Sequence, residues 1–335
     1  MRTAFGQTFD VQAGYLNTAS IGVPPTVAVH GLTEAVDSWR IGAAVPPDFD
    51  VDVRAARKAW GALVGVPEER VASGASVSQL VGLVAASIPD GTRVLTVPNE
   101  FTSLTFPIAA QAHRGVTITE DLLSNVDAYD MVAVSVVQSA DGAVADLDAL
   151  RASGKPVLLD ATQAAGWMPL DLGWADWVVG ACYKWLMCPR GAAWLAISPA
   201  RIERTVPAVA NWYAGDDPWT SIYGLPLRLA PDARRLDLSP AWFSHRVAAI
   251  VLPWLASLDL EAVRDHCVGL VDGLLVALGR QPGGSAITAL DLPGAAERLA
   301  AVGIRTSVRA GRVRLSCHMY NTSADIAAVL TALTP

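Results

Sequence analysis

The sequence predicts an α/β fold in which a mainly parallel sheet is sandwiched by helices and is followed by a smaller α+β unit. Three observations predict it. The chain has 335 residues, of which 52% are hydrophobic and 17% charged, so it can bury a large core. Short β-branched runs alternate with segments of helical spacing between residues 78 and 198. The pattern then changes after about residue 230.

Six short apolar runs in the middle of the chain are predicted to form the main sheet. They are RVLTV (93–97), VTIT (116–119), MVAVSVV (131–137), PVLLD (156–160), WVVGA (177–181) and AAWLAIS (192–198). Helical segments at 78–88, 104–113 and 146–153 lie between several of them, which indicates parallel strands covered on both faces. The loop between the last two strands is too short for much of a helix, so these two strands need not be parallel to each other.

The C-terminal third is organised differently. A long helical stretch at 244–279 contains Pro253, which is expected to kink or break it. Shorter strands and helices then alternate on a smaller scale. We therefore expect a large domain at 1–240, beginning with an N-terminal segment at 1–15, and a small α+β domain at 241–335.

Composition argues against several classes of function. The net charge is -7 and no block of Lys and Arg is present, which argues against a nucleic-acid partner. Every apolar run is interrupted before the roughly 18 residues of a spanning helix, and no apolar signal sequence opens the chain. We expect a cytoplasmic protein with no membrane partner. The four cysteines lack CxxC spacing, which favours reduced thiols and no metal site.

Two polar residues follow neighbouring strands of the predicted sheet. Asp160 ends PVLLD, and Lys184 comes just after WVVGA. Functional groups collect beyond the carboxyl ends of parallel strands, so both residues should reach one edge. Asp160 could simply cap the next helix, or the two could form a structural ion pair. The functional alternative is a Schiff-base lysine, because a desolvated amine is more easily kept neutral.

The segment ASGASVSQLVGLV (72–84) has glycine and small hydroxyl residues at the start of a predicted helix. Free N–H groups at a helix N-terminus bind phosphate, although such residues also cap ordinary helices. A phosphate site, an acid after one strand and a desolvated lysine after the next together match the needs of pyridoxal 5'-phosphate. That cofactor requires a held phosphate, a protonated pyridine nitrogen and a lysine for its aldehyde.

These residues and several longer motifs resemble a known family. The motifs are YLNTASIGVPP (15–25), SGASVSQL (73–80), NEFTSL (99–104), LLDATQAAGWMPLDL (158–172), ACYKWLMCPRG (181–191) and VRLSCHMYNTSADI (313–326). Over nearly its whole length the chain resembles the class V aminotransferase and cysteine desulfurase family of pyridoxal-phosphate enzymes. The resemblance implies the PLP-dependent transferase fold type I, with pyridoxal 5'-phosphate as the cofactor.

The resemblance also implies a role for each matched residue around the cofactor. Lys184 is expected to bind the aldehyde covalently. Asp160 is expected to pair with the pyridine nitrogen and Gln163 to hydrogen-bond the phenolic oxygen of the ring. Ala75 and Ser76 are expected to hold the phosphate through backbone and hydroxyl groups.

Further matched residues are assigned to the ring face, the substrate and the neighbouring subunit. Phe101 takes the ring-stacking position, with a core phenylalanine as the alternative. Arg314 matches the arginine that binds the substrate's α-carboxylate, with a surface strand arginine as the alternative. Asn17 and Gln138 align loosely with substrate-side positions. Ser239 lies in a segment similar to the one that contacts the phosphate of the neighbouring subunit, which implies a homodimer with shared active sites.

The sequence departs from the desulfurase pattern near its C-terminus. Desulfurases carry a nucleophilic cysteine ahead of the final VRxS strand, and no cysteine lies between Arg309 and Arg314. Cys317, after that strand, is expected to be structural. The compact ending is most similar to the hercynylcysteine sulfoxide lyase branch. We therefore expect a carbon–sulfur β-lyase that releases pyruvate and ammonia from an L-amino acid, with a class V aminotransferase as the alternative.

A hypothesis from a different class is a non-catalytic relative, a scaffold that has kept the fold. The joint retention of the lysine, the aspartate and the arginine argues against it.

Overall fold

The computed structural model describes residues 1–333, and a seven-stranded sheet forms its centre. The order of the strands across the sheet is β3-β9-β8-β7-β6-β4-β5. Their bounds are β3 Val71–Gly74, β4 Arg93–Thr96, β5 Thr117–Glu120, β6 Met131–Ser135, β7 Val157–Asp160, β8 Trp177–Ala181 and β9 Ala193–Ile197. All six predicted runs are strands. The unpredicted strand β3 adds to one edge.

Only β9 runs against the others. It is antiparallel to both β3 and β8, while β8, β7, β6, β4 and β5 pair in parallel. The connection from β8 to β9 is a loop at 182–192, too short for the helical crossover that a parallel neighbour requires. The predicted exception to parallel pairing is therefore confirmed.

Helices cover both faces of this sheet. The α-helices of residues 1–333 are α1 Thr26–Arg40, α2 Asp50–Val64, α3 Val77–Ser87, α4 Thr102–Ala109, α5 Leu147–Ala152, α6 Pro199–Ile202, α7 Trp242–Ala256, α8 Leu260–Ala277, α9 Ala295–Ala301 and α10 Ser323–Leu333, of which α8, α9 and α10 pack together near the C-terminus. On one face Trp60 of α2 stacks on Trp194 of β9, with ring centroids 5.9 Å apart. On the other, Leu80 of α3 and Leu104 of α4 are completely buried. This is the predicted layered α/β arrangement.

A second, antiparallel sheet lies near the C-terminus. It consists of β10 Ile287–Leu290, β11 Ser307–Arg309 and β12 Arg312–Ser316, in the order β10-β12-β11. The N-terminal segment reaches this sheet through a bridge between Asn17 and Ser316, after a small hairpin of β1 Arg2–Ala4 and β2 Gln7–Phe9. The N-terminal segment and the small sheet are therefore in direct contact. The boundary proposed at residue 240 stays a prediction.

The long helical stretch at 244–279 is divided, but not at its proline. Pro253 lies inside α7, and the chain leaves helical conformation only at 257–259. The Asp259 side chain accepts hydrogen bonds from the N–H groups of Glu261 and Ala262 and so caps the start of α8. A cap, rather than the proline, therefore accompanies the break. No helix among residues 1–333 has the length and apolarity to cross a membrane.

Candidate active site

The carboxyl ends of the parallel strands converge on one cleft. The loops after β3, β4, β7 and β8 supply most of its lining. The lining residues are Ala75, Ser76, Val77, Ser78, Phe101, Ser103, Asp160, Thr162, Ala181, Tyr183, Lys184 and Arg190. Five residues predicted for the cofactor, namely Ala75, Ser76, Phe101, Asp160 and Lys184, are therefore brought together at the edge of the sheet that the sequence indicated.

Lys184 is a buried amine without a close polar partner. The residue is 5% exposed, and its Nζ lies 5.0 Å from the ring centroid of Phe101 and 5.7 Å from that of Tyr183. Within residues 1–333 no acceptor is within hydrogen-bonding distance of Nζ. Burial lowers the pKa of Lys184 from 10.5 to about 8, and the charges of Arg314 and Arg309 act in the same direction against the opposing carboxylate of Asp160. The amine is therefore prepared to react in its neutral form.

Asp160 is held in place by the loop that follows it. Its Oδ1 accepts a hydrogen bond of 2.8 Å from the Thr162 N–H, and the Thr162 hydroxyl accepts one of 3.1 Å from the Ala181 N–H on the neighbouring strand. Burial raises the pKa of Asp160, whereas the Thr162 hydrogen bonds and the charge of Lys184 lower it. A fixed, buried carboxyl group of this kind can hold a proton on a ring nitrogen facing it.

The start of α3 has the composition of a phosphate site. Ser76 is the N-cap residue, and its Oγ accepts a hydrogen bond of 3.3 Å from the Gln79 N–H. The N–H groups of Ser76, Val77 and Ser78 have no partner in the described part of the chain, as is usual for the first turn of a helix. The Ala75 N–H instead donates to Oε1 of Gln79 at 3.2 Å. The role of Ala75 toward a phosphate therefore stays a prediction. To bind a phosphate, the Ala75 N–H would have to give up its hydrogen bond to Gln79.

Gln163 is buried and is not among the residues that line the cleft, and both its amide nitrogen and its amide oxygen are hydrogen-bonded. Its Nε2 donates to the Ala19 carbonyl at 3.1 Å and to the Ser139 hydroxyl at 3.0 Å. Its Oε1 accepts from the Trp185 indole at 2.8 Å. Its predicted contact with a phenolic oxygen stays a prediction, since one of these bonds must be given up to make it.

Arg314 is a buried cation that lacks an anion. The residue is 1% exposed, and its guanidinium donates to the Ser139 carbonyl at 2.5 Å, to Ser20 Oγ at 2.7 Å and to Ser307 Oγ at 3.2 Å. Among residues 1–333 no carboxylate lies within 4.0 Å of it. Burial, followed by the charge of Arg309, lowers its pKa to about 10. A buried guanidinium group without a carboxylate partner can bind the carboxylate of an incoming substrate.

The two loosely aligned residues each have a buried, unpaired carbonyl oxygen. Neither Oδ1 of Asn17 nor Oε1 of Gln138 has a hydrogen-bond partner within residues 1–333. Gln138 directly precedes Ser139, which binds Arg314, so it lies beside the expected carboxylate position. The substrate-side roles of both residues stay predictions.

Glu100 is a buried residue of the site that the sequence analysis did not single out. Its carboxylate accepts hydrogen bonds from the N–H of Phe101 at 2.7 Å, from the N–H and hydroxyl of Ser135, and from Nε2 of Gln138 at 2.9 Å. Burial raises its pKa against the effect of the bonds from Ser135 and Phe101. The signal was present in the motif NEFTSL, where an acid directly precedes the predicted ring-stacking residue. Glu100 thus connects Phe101 to Gln138.

Ser239 lies apart from this cleft. It is exposed on the segment before α7, and it is not among the residues that line the cleft of its own chain. Nearby, Asp237 forms a buried ion pair with Arg57 and accepts a hydrogen bond of 2.7 Å from the Ser73 N–H, which fixes this segment against β3. The role of Ser239 in a neighbouring subunit stays a prediction.

The residues present fit pyridoxal phosphate. Unpaired N–H groups at the start of α3 suit its phosphate, a buried carboxyl group suits its ring nitrogen, and an unpartnered amine with a lowered pKa suits its aldehyde. Phe101 offers an aromatic face over the amine. Arg190, which the sequence analysis did not single out, lines the same cleft and adds positive charge for an anionic cofactor.

Sequence comparison finds a partial match to a known enzyme. No family model matches the chain. The isopenicillin N epimerase of Streptomyces clavuligerus is 28% identical over 283 residues, which cover 75% of this chain and 65% of that protein. The match therefore spans less than two thirds of the length of that relative.

Solved structures are much more similar in fold than in sequence. The apo cysteine desulfurase from Thermococcus onnurineus NA1 has a TM-score of 0.82 at 19% identity, covering 95% of this chain and 93% of that one. A C-DES variant with glycine covalently linked to the PLP cofactor has a TM-score of 0.86 at 17% identity, covering 96% of both chains. The complex of the cystine C–S lyase C-DES with its product, cysteine persulfide, has a TM-score of 0.84 at 18% identity, covering 96% and 97%.

These similarities confirm the predicted fold, which is that of fold type I pyridoxal-phosphate enzymes. The predicted resemblance to class V enzymes is confirmed as well, because the desulfurase and the epimerase both belong to that class.

Proposed function

We propose that this chain is a pyridoxal-phosphate-dependent enzyme that acts on an L-amino acid as a carbon–sulfur β-lyase. The observation that carries the proposal is that two buried basic side chains, Lys184 and Arg314, have no carboxylate within 4.0 Å among residues 1–333. Lys184 lines one cleft together with Asp160. The predicted enzyme class and cofactor agree with the structural relative that holds covalently linked PLP. The lyase reaction is supported by the cystine C–S lyase among those relatives.

Each group of the site has a task in such a reaction. When bound, pyridoxal phosphate supplies an aldehyde that joins a primary amine and a protonated ring that accepts electron density from Cα. Asp160 keeps a proton at the ring nitrogen. Arg314 holds the α-carboxylate of the substrate through its guanidinium. Phe101 covers the ring face and excludes water from the amine of Lys184.

Lys184 moves the proton that starts the elimination. Its neutral Nζ accepts the Cα proton, the Cβ–S bond breaks, and the sulfur leaves with the bonding electron pair. The released thiolate takes up a proton, and water completes the hydrolysis. In total, an S-substituted cysteine and one water give a thiol, pyruvate and ammonium, with no oxidant or reductant. A pKa of about 8 matches this task near neutral pH.

The cysteines support a reaction without a thiol nucleophile. Cys182, Cys188, Cys267 and Cys317 are all buried. Burial raises the pKa of Cys188, Cys267 and Cys317, which disfavours the reactive thiolate.

Product analysis tests the lyase proposal. Purified PLP-loaded protein with S-substituted L-cysteines should release pyruvate and ammonia in equal amounts, and a Lys184→Ala variant should release neither. A keto acid formed only when a second keto acid is added as amino acceptor would instead identify an aminotransferase.

Epimerisation is a second candidate because the curated relative is an epimerase. It would appear as deuterium uptake at Cα from D₂O with loss of optical rotation and without pyruvate.

We also propose that the chain acts as a homodimer. Several large apolar side chains are exposed in the described chain, among them Trp39 (64%), Ile41 (69%), Tyr223 (87%) and Leu225 (90%). Exposed apolar side chains in such numbers favour an interface. Light scattering during gel filtration should give twice the chain mass of 35.2 kDa.

A further inference from the structure

We propose that Arg309 and Arg314 form a double anion site, and that the preferred substrate is an amino acid whose side chain carries an acidic group such as a carboxylate or a sulfinate. This inference rests on the proposed function in one respect, since it takes the α-carboxylate of an amino acid to occupy Arg314.

The hairpin of the small sheet places three arginines on one face. Arg309 is the cross-strand partner of Arg312, and Arg314 lies two residues further along β12. Cross-strand partners and residues two apart in a strand point to the same side. The turn between the strands is only two residues, Ala310 at φ 47° and Gly311 at φ 75°, which keeps Arg309 directly at the end of the hairpin.

One of the three charges is neutralised within the chain. Arg312 Nη2 lies 3.1 Å from a carboxylate oxygen of Asp141. Within residues 1–333, neither Arg309 nor Arg314 has a carboxylate within 4.0 Å. The face therefore holds two guanidinium groups that lack a carboxylate partner, Arg314 buried and Arg309 exposed to solvent.

These two groups converge on a single hydroxyl group. Ser20 Oγ lies 2.7 Å from Nη2 of Arg314 and 3.4 Å from Nη2 of Arg309. A hydroxyl oxygen is neutral, so it fixes the geometry of the two cations without relieving their repulsion.

Hydrogen bonds connect this pair to the active site. Arg314 and Nε2 of Gln163 both donate to the hydroxyl group of Ser139, and Gln163 lies three residues after Asp160. Both arginine charges also lower the pKa of Lys184, although burial is the larger cause.

Two guanidinium groups without carboxylate partners favour a substrate that carries two acidic groups. A single α-carboxylate can occupy Arg314 and leaves Arg309 without a partner. A second acidic group on the side chain would compensate the second guanidinium, and planar guanidinium groups bind carboxylate and sulfinate oxygens in a bidentate manner. Neutral side chains of the same shape would leave one cation unpaired and should bind less tightly.

Two amino acids that differ in one side-chain charge and carry no leaving group on Cβ test this inference. Isothermal titration calorimetry on the PLP-loaded protein would measure the dissociation constants of L-glutamate and its amide, L-glutamine. Native protein is expected to bind the acid at least about tenfold more tightly than the amide, because hydrogen bonds to a charged partner are the strong ones. Arg309→Gln should bind both compounds equally, at about the affinity of the native protein for the amide.

Arg312→Gln is the matched control, because Arg312 shares the hairpin face but is already paired with Asp141. It should keep the preference for the acid. Equal affinities in native protein, or a full preference remaining in Arg309→Gln, would overturn the inference. Both variants are checked by their unfolding midpoints, so a misfolded protein is not mistaken for a loss of preference. Neither amino acid can undergo β-elimination, so the binding preference is measured independently of the lyase reaction, which product analysis tests separately.

Discussion

The reactivity of Lys184 should depend on pH in a way that no exposed lysine does. Only the neutral amine attacks an aldehyde. Burial lowers the pKa of Lys184 from 10.5 to about 8. At pH 7 the neutral fraction is then about 9% instead of about 0.03%, a gain of about 300-fold from a shift of about 2.5 units. The covalent capture of pyridoxal phosphate should therefore increase with pH around a midpoint near 8.

The neighbouring carboxylate of Asp160 lets us predict the direction in which the pH midpoint of capture shifts when it is removed. Asp160 stabilises the ammonium form of Lys184 and so raises its pKa against the effect of burial. An Asp160→Asn variant should therefore capture the aldehyde with a midpoint at lower pH than native protein, even though it loses the partner of the ring nitrogen.

The assay is a trapping experiment on apo protein. Samples at a series of pH values receive pyridoxal phosphate for a short time, borohydride then fixes the adduct, and mass spectrometry quantifies each lysine peptide. Lys58 and Lys155, the other two lysines of the sequence, are internal controls that meet the same reagent. A midpoint at or above pH 10 for Lys184, or capture by Lys58 at an equal rate, would refute the reasoning.

Three further predictions concern the support of the site. Glu100→Gln should reduce kcat/KM at least about tenfold by releasing Gln138, and in a Gln138→Leu background the same change should have little further effect. Ser76→Ala should lower the free energy of unfolding by about 1 kcal/mol through loss of the α3 cap, and it should weaken cofactor binding in equilibrium titrations. Asp237→Ala should lower the free energy of unfolding in urea by about 3–5 kcal/mol, because Arg57 is left buried and unpaired.

Each of these predictions has a matched control. Ser76→Thr keeps a capping hydroxyl group and should restore both stability and cofactor affinity. Asp37→Ala removes an exposed ion pair with Arg40 and should change stability by less than about 1 kcal/mol. Strictly additive effects of the Glu100 and Gln138 changes, or an Asp237→Ala protein as stable as Asp37→Ala, would contradict the roles assigned here.

The main sheet could be predicted from sequence because buried parallel strands have a distinctive pattern. Each predicted run coincides with a strand to within two residues, and the short connection after Trp177–Ala181 correctly indicated a reversal. The same reasoning placed Asp160 and Lys184 at one edge, since Asp160 ends its strand and Lys184 lies three residues after the end of the neighbouring strand. The helical stretch does not break at Pro253, which lies inside α7; the break comes at 257–259, where Asp259 caps the start of the next helix.

The detailed hydrogen bonding could not be predicted in this way. The amide of Gln163 is oriented by Ala19, Ser139 and Trp185, which are far from it in sequence or on another loop. The same holds for Arg309, whose position beside Ser20 depends on a contact across 289 residues. Strand position is a local property of the sequence, whereas the direction of a donor depends on neighbours that only folding brings together.

A crystal structure of the chain grown with pyridoxal phosphate tests the central claim most directly. We expect continuous density from Nζ of Lys184 to the cofactor, with the ring nitrogen at Asp160, the ring against Phe101 and the phosphate at the start of α3. Density for the phosphate at another position, or a Lys184 side chain directed away from the bound ring, would contradict it.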